Sequence, residues 1–286
     1  MSEVPVLSPG KPVGRDLARP ESVLALPDGS IVVSDRRALA CHISPDGTQA
    51  LMGGRHGLPN GLALLNESTL VIADIGHRTV FALSADGNES TLHATLADGS
   101  RLGAANFPLV GPDGALWLSV STTSDDLGEA INQPRPDGQL LRSRGGRLEV
   151  VSAGLYFPNE FRFDHDGAWV YVAETTKGRI RRARLLRGGT LGDWETYGPD
   201  PVYAGAYVDG VAFDDAGNLW VTELTRNAIL AISPDRRLHC LAEDPQGAQL
   251  YKPTSIAFQG SDRCSVLVGS LKSAQLRVFR STVPGR

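Results

Sequence analysis

One pattern recurs six times along the chain: a polar residue, an alternating apolar run, a Gly/Asp turn and a second apolar run. The copies are RPESVLALPDGSIVVSD from Arg19, LPNGLALLNESTLVIAD from Leu58, AANFPLVGPDGALWLSV from Ala104, FPNEFRFDHDGAWVYVAE from Phe157, YVDGVAFDDAGNLWVTE from Tyr207 and KPTSIAFQGSDRCSVLVGS from Lys252. A fixed period of this kind marks a repeat architecture. The Asp-Gly and Gly-Asn turns tolerate the positive φ of tight hairpins, and the apolar runs alternate with a strand's period. Two weaker strands follow each pair, as at Ala40–Ser44 and Gln49–Met52. Four strands per copy is a propeller blade, so the expected fold is all-β: a six-bladed β-propeller of four-stranded antiparallel blades. Residues 1–15, rich in Pro and Gly, are read as an N-terminal extended segment, and 16–286 as the single propeller domain.

The polar residues that open the copies are Glu21, Asn60, Asn106, Asn159, Asp209 and Thr254, spaced by 39, 46, 53, 50 and 45 residues. The longer spacings hold insertions at Thr122–Arg135 and Leu186–Tyr203. The first strand of each blade lines the central channel, so six anchors at its start converge on one mouth. Five of the six are Glu, Asn or Asp, the hard oxygen donors that Ca²⁺ or Mg²⁺ takes. None is His or Cys, as copper or zinc would favour. Asn and Asp before a strand also make turns with their own backbone, and that reading stays open for each anchor singly. As a ring, two carboxylates and three amides aimed at one axis call for a cation or ordered water.

Composition narrows the classes. Of 286 residues 41% are hydrophobic and 21% charged, with a net charge of −4, which points to neither nucleic acid nor an anionic membrane as partner. The basic cluster Arg179, Arg181, Arg182, Arg184 and Arg187 reads as a charged edge strand. Three unpaired-looking cysteines, Cys41, Cys240 and Cys264, fit a reducing compartment. The start lacks the apolar core of a signal peptide, so a cytoplasmic protein is expected.

From about Arg19 to Phe279 the chain resembles the SMP-30/gluconolactonase/LRE-like family of metal-dependent propellers. The likeness is strongest at FPNEFRFDHDGAWVYVAET and VDGVAFDDAGNLWVTE, where the family has PNG and DG blade starts, and PESVLALPDG is similar to its GEGP segment. The resemblance implies that Glu21, Asn159 and Asp209 hold one divalent metal ion, Ca²⁺ first and Mg²⁺, Mn²⁺ or Zn²⁺ as alternatives. It implies Asp209 as the general base or water-orienting group. It makes Asn106 a substrate contact, with Asn60 beside it. The family's Arg-x-Asn-Asp-Gly stretch, which grips sugar hydroxyls, is replaced here by Ala104-Ala105-Asn106-Phe107-Pro108. Losing those polar groups removes selectivity for a sugar. Tyr156, Phe107 and Tyr207 crowd the anchors, so a less polar small-molecule substrate is expected, against the alternative that the rings pack between blades. His56, four residues before Asn60, is a candidate for the mouth. Strand-end carboxylates Asp35, Asp74, Glu174 and Glu223 read as structural hydrogen-bond acceptors between blades.

The expected activity is metal-dependent opening of a lactone. Two other readings stand: isomerisation, condensation or another hydrolysis at the same mouth, or a non-catalytic propeller that binds a small molecule or protein loop.

Overall fold

The computed structural model describes residues 3–55 and 57–286. They form six four-stranded antiparallel sheets. Numbered by inner strand, blade one starts at Val23–Ala25, two at Pro59–Asn66, three at Ala105–Val110, four at Pro158–Phe163, five at Val208–Phe213 and six at Pro253–Gln259. In blades one to five the strands run outward in sequence order.

Blade six is completed from the other end of the chain. Its outermost strand is Lys11–Val13, paired antiparallel with Leu276–Arg280 through Lys11–Val278, Pro12–Arg277 and Val13–Leu276. Lys11–Val13, inside the segment read as a separate extension, is therefore part of the propeller, which corrects the boundary drawn from its Pro and Gly content. Pro12 is tolerated because an outermost strand need donate on one side only.

The core is divided into six buried apolar clusters, each shared by two neighbouring blades. Trp117, between blades three and four, and Trp220, between five and six, are fully buried. No single cluster holds the molecule, so the ring is stable only when every interface is closed.

The arginine cluster is placed differently from its expectation. Arg179–Leu185 is the third strand of blade four, paired on one side with Trp169–Glu174 and on the other with Leu191–Thr196. It is not an edge. Arg182 lies 4.3 Å over the Trp169 ring and 5.1 Å from that of Tyr197, and pairs with Glu195 at 2.6 Å. Stacked, ion-paired guanidinium groups cover an aromatic face here.

Candidate functional site

In blades two to six the anchor is the second residue of the inner strand, and in blade one Glu21 sits two residues before it. The ladder slips by a bulge at this point in blades two to six. A bulge twists the strand and re-aims one side chain; here that side chain is the anchor. Second-strand hydroxyls take up N–H groups beside the anchor: Ser22 N donates to Ser34 Oγ at 3.0 Å, Phe107 N to Ser119 Oγ at 3.0 Å, and Gly210 N to Thr222 Oγ1 at 2.7 Å. After the anchor the blades nearly touch. A Cβ on Gly210 would lie 2.3 Å from Thr254 O, and one on Gly61 2.5 Å from Asn106 O.

In blades one, two, four and five the loop leading to the anchor is fastened by the buried carboxylate at the end of the second strand. Asp35 accepts from Ala18 N at 3.2 Å, Asp74 from Leu58 N at 3.0 Å, Glu174 from Tyr156 N at 2.8 Å and Glu223 from Tyr207 N at 2.9 Å. These bonds run within a blade, not between blades as expected. The exit turn wraps the same groups: Glu223 also accepts from Thr225 N and Arg226 N, both at 2.8 Å. The backbone that carries the anchors is thereby held from two sides.

The anchors divide into two sets. One is a hydrogen-bonded relay. Arg19 donates to Asn60 Oδ1 at 2.9 Å, Asn60 Nδ2 to Asn106 Oδ1 at 2.9 Å, Asn106 Nδ2 to Ser121 Oγ at 2.7 Å, and Ser121 Oγ to Pro158 O at 3.0 Å. The relay spans blades one to four. The other set is acidic. Glu21 and Asp209 are both buried and close enough to feel each other's charge. Burial pushes Asp209 well above the usual carboxylate range, and the charges of Glu21 and Glu160 push it further; Arg19 and a hydrogen bond with Asn159 only partly oppose this. Burial likewise raises Glu21, with the Arg19 guanidinium as the main opposing influence. Thr254 differs from the other anchors: its Oγ1 donates to Glu21 O at 2.5 Å and closes blade six onto blade one.

Three charged groups at this site escaped the sequence reading. Arg19 forms an ion pair with Glu21 and donates to Pro59 O at 3.0 Å. Glu160 is buried, pairs with Arg162 at 3.1 Å and accepts from Val211 N at 3.3 Å. Its signal was present: blade four reads Asn159-Glu160 where blades two and five have Gly after the anchor. Arg162 lines a cavity of about 610 Å³ formed by the later parts of the inner strands, with Leu24, Leu64, Phe163 and Phe258. No anchor lines that cavity.

The aromatic residues separate. Phe107 is buried in the wedge between blades three and four, with its ring 5.9 Å from Phe161 and under the Arg162 guanidinium at 4.6 Å. It packs between blades because the bulge turns Asn106 to the axis and the next side chain away from it. Tyr156 and Tyr207 are half-buried beside their anchors, and Lys177 Nζ lies 4.4 Å over the Tyr156 ring. His56 lies outside the described residues. The insertion after Val120 carries a short helix, Leu127–Asn132, and is tied to blade two by Arg78–Asp125 at 3.2 Å.

The donors suit a hard divalent cation. Glu21, Asp209 and Asn159 supply only oxygen ligands, and the buried Oε2 of Glu21 has no hydrogen bond of regular geometry beyond its ion pair with Arg19. Among the described residues no three His, Cys, Asp or Glu side chains gather in a metal-holding group, so amide oxygens must complete any such set. No helix among them is long and apolar enough to cross a membrane.

The likeness to known proteins agrees with the propeller fold. A putative gluconolactonase superposes with a TM-score of 0.77 at 18% identity, over 96% of this chain and 93% of that one. A calcium-binding regucalcin from Agrobacterium tumefaciens gives 0.75 at 20%, over 96% and 95%. A gluconolactonase from Xanthomonas campestris gives 0.75 at 21%, over 94% and 88%. At these identities the structures attest the fold alone, and no curated protein matches the chain. The sequence model of the SMP-30/gluconolactonase/LRE-like region, however, matches residues 55–272, and the chain belongs to that family.

Proposed function

We propose that the protein is a divalent-cation-dependent hydrolase that opens a lactone, with Glu21, Asn159 and Asp209 as the cation's ligands. The observation that carries this reading is the buried pair Glu21 and Asp209 on one channel mouth, both raised by burial and opposed chiefly by Arg19. Buried like charges of this kind are retained where a cation or a reaction uses them. A divalent ion there would polarise the ester carbonyl and stabilise the charge that builds on its oxygen.

The chain's own residues do the rest. Asp209 orients the attacking water, takes its proton and returns it to the leaving alkoxide. Asn159 fixes the Asp209 carboxylate by their hydrogen bond. Asn106 has one N–H and one lone pair beyond its bonds to Ser121 and Asn60, and with the N–H it holds a substrate oxygen. Tyr156 and Tyr207 supply an apolar wall. This supports a small-molecule substrate less polar than a sugar lactone.

The test is hydrolysis of sugar and hydrophobic lactones by chelator-treated protein, with Ca²⁺, Mg²⁺, Mn²⁺ or Zn²⁺ restored. Activity should return with one of these ions, favour the hydrophobic series, and fall at least 100-fold in Asp209→Ala. Cation binding without lactone opening moves the reaction to isomerisation or condensation. A chain that binds no cation is a non-catalytic binding propeller.

A further inference from the structure

The charges at the mouth do not cancel, and the imbalance has a direction. Glu160 is matched by Arg162. That leaves Glu21 and Asp209 against a single guanidinium, that of Arg19, which sits directly on Glu21. The Arg19 side chain is 20% exposed and that of Glu21 8%, so the arginine is the outer partner. Its backbone is left-handed, with φ 57°, as in few other non-glycine residues among those described. Such a conformation costs energy, and the bonds to Pro59 O and Asn60 Oδ1 across blades one and two hold it. With both carboxylates ionised, a divalent ion on Glu21 and Asp209 turns the local sum from one negative to one positive charge. Two consequences follow in a buried site, where charges interact strongly. Arg19 and the ion compete for Glu21. Once Glu21 is neutralised by the ion, the Arg19 Nη2 hydrogen that paired with it is released, while Nη1 and Nη2 keep their bonds to Pro59 O and Asn60 Oδ1, and the site has an unbalanced positive charge. A guanidinium N–H released in this way, beside an uncompensated positive charge, is suited to a carboxylate.

Resting on the proposed function, we infer that Arg19 is a specificity-determining residue: it restrains cation binding at Glu21 and, with the cation bound, receives a carboxylate substituent of the substrate. The preferred substrate class is then a lactone that carries an anionic group beside its ring, with Tyr156 and Tyr207 against the apolar part.

Calorimetry on the full chain tests this without relying on turnover. CaCl₂ is titrated into the wild type, Arg19→Gln and Arg19→Lys. Sodium tetrahydrofuran-2-carboxylate and the neutral tetrahydrofurfuryl alcohol are then titrated into the Ca²⁺-loaded proteins. Arg19→Gln should bind Ca²⁺ at least tenfold more tightly and the carboxylate at least tenfold more weakly. The wild type should prefer the carboxylate to the alcohol, and Arg19→Lys should fall between the two. Matching melting temperatures and circular dichroism establish that each variant is folded, with Arg19→Lys as the reserve should Arg19→Gln not fold. Equal Ca²⁺ affinity in all three, or equal carboxylate binding with and without Arg19, overturns the inference while the cation site stands. If no variant binds Ca²⁺, the cation site and the inference fall together.

Discussion

His93, at the end of an outer strand of blade two, shows how burial alone sets a titration. It is buried, and desolvation holds its imidazole below the usual histidine range. The unfolded chain therefore binds the proton more readily than the folded one. Stability from this group is present above about pH 6.5, the unfolded value, and is lost as pH falls toward the depressed folded one. Replacing His93 by Gln should flatten the fall in melting temperature as pH drops below about 6.5, measured by thermal denaturation in matched buffers. An unchanged slope would assign the acid sensitivity elsewhere. The group lies away from the anchors, so this dependence reports on folding and not on the candidate chemistry.

At the scale of the element, the strand-end carboxylates explain why short loops can hold catalytic side chains in place. Glu223 gathers three backbone N–H groups, from Tyr207, Thr225 and Arg226. Tyr207 is two residues from Asp209, so the same carboxylate that ends one strand positions the start of its neighbour. Glu223→Ala leaves three donors without their acceptor, at roughly 1–3 kcal/mol for that of half-buried Tyr207 and less for those of exposed Thr225 and Arg226, which water reaches. The expected result is a loss of about 3 kcal/mol in urea denaturation, with kcat reduced more than KM is raised, because Asp209 is misplaced and the substrate wall is not. A variant as stable as the wild type would mean that the exit turn holds the loop without the carboxylate.

For the whole molecule, stability resides in closure. Six apolar wedges join six blades, and the sixth blade depends on Lys11–Val13 pairing with Leu276–Arg280. Leu17, just beyond that strand, is buried in the wedge between blades six and one, and its N–H donates to Ala274 O at 3.0 Å. Removing residues 1–15 deletes a strand and exposes the edge of its partner, which invites aggregation. The truncated chain should lose at least 10 °C in melting temperature or become oligomeric, read by calorimetry and light scattering. Retained stability as a monomer would show that the wedge packing closes the ring unaided. The anchor mouth is a product of this closure, since Thr254 of the last blade bonds the backbone of Glu21 in the first.

Blade number, blade boundaries and the anchors were legible in the sequence because the repeat is local: each copy states its own turn, alternation and opening polar residue. Family membership was legible for the same reason, in PNE and VDG taken with their spacing. Four things depended on tertiary structure. Residues 1–15 lack strand periodicity, and Lys11–Val13 becomes a strand only by pairing with residues more than 260 positions later. The arginine strand looked like an edge because charge marks edges, whereas stacking on Trp169 and Tyr197 permits the same residues inside a sheet. Phe107 is next to an anchor in sequence, and the bulge sends it to the opposite environment. Arg19, Glu160 and Arg162 carry no motif; their weight comes from charges that the closed ring brings together across blades. A repeating sequence dictates the unit and its copies, because those follow from local periodicity and turn chemistry. The electrostatics of the mouth follow from distances between residues in different blades, and only the folded ring sets those.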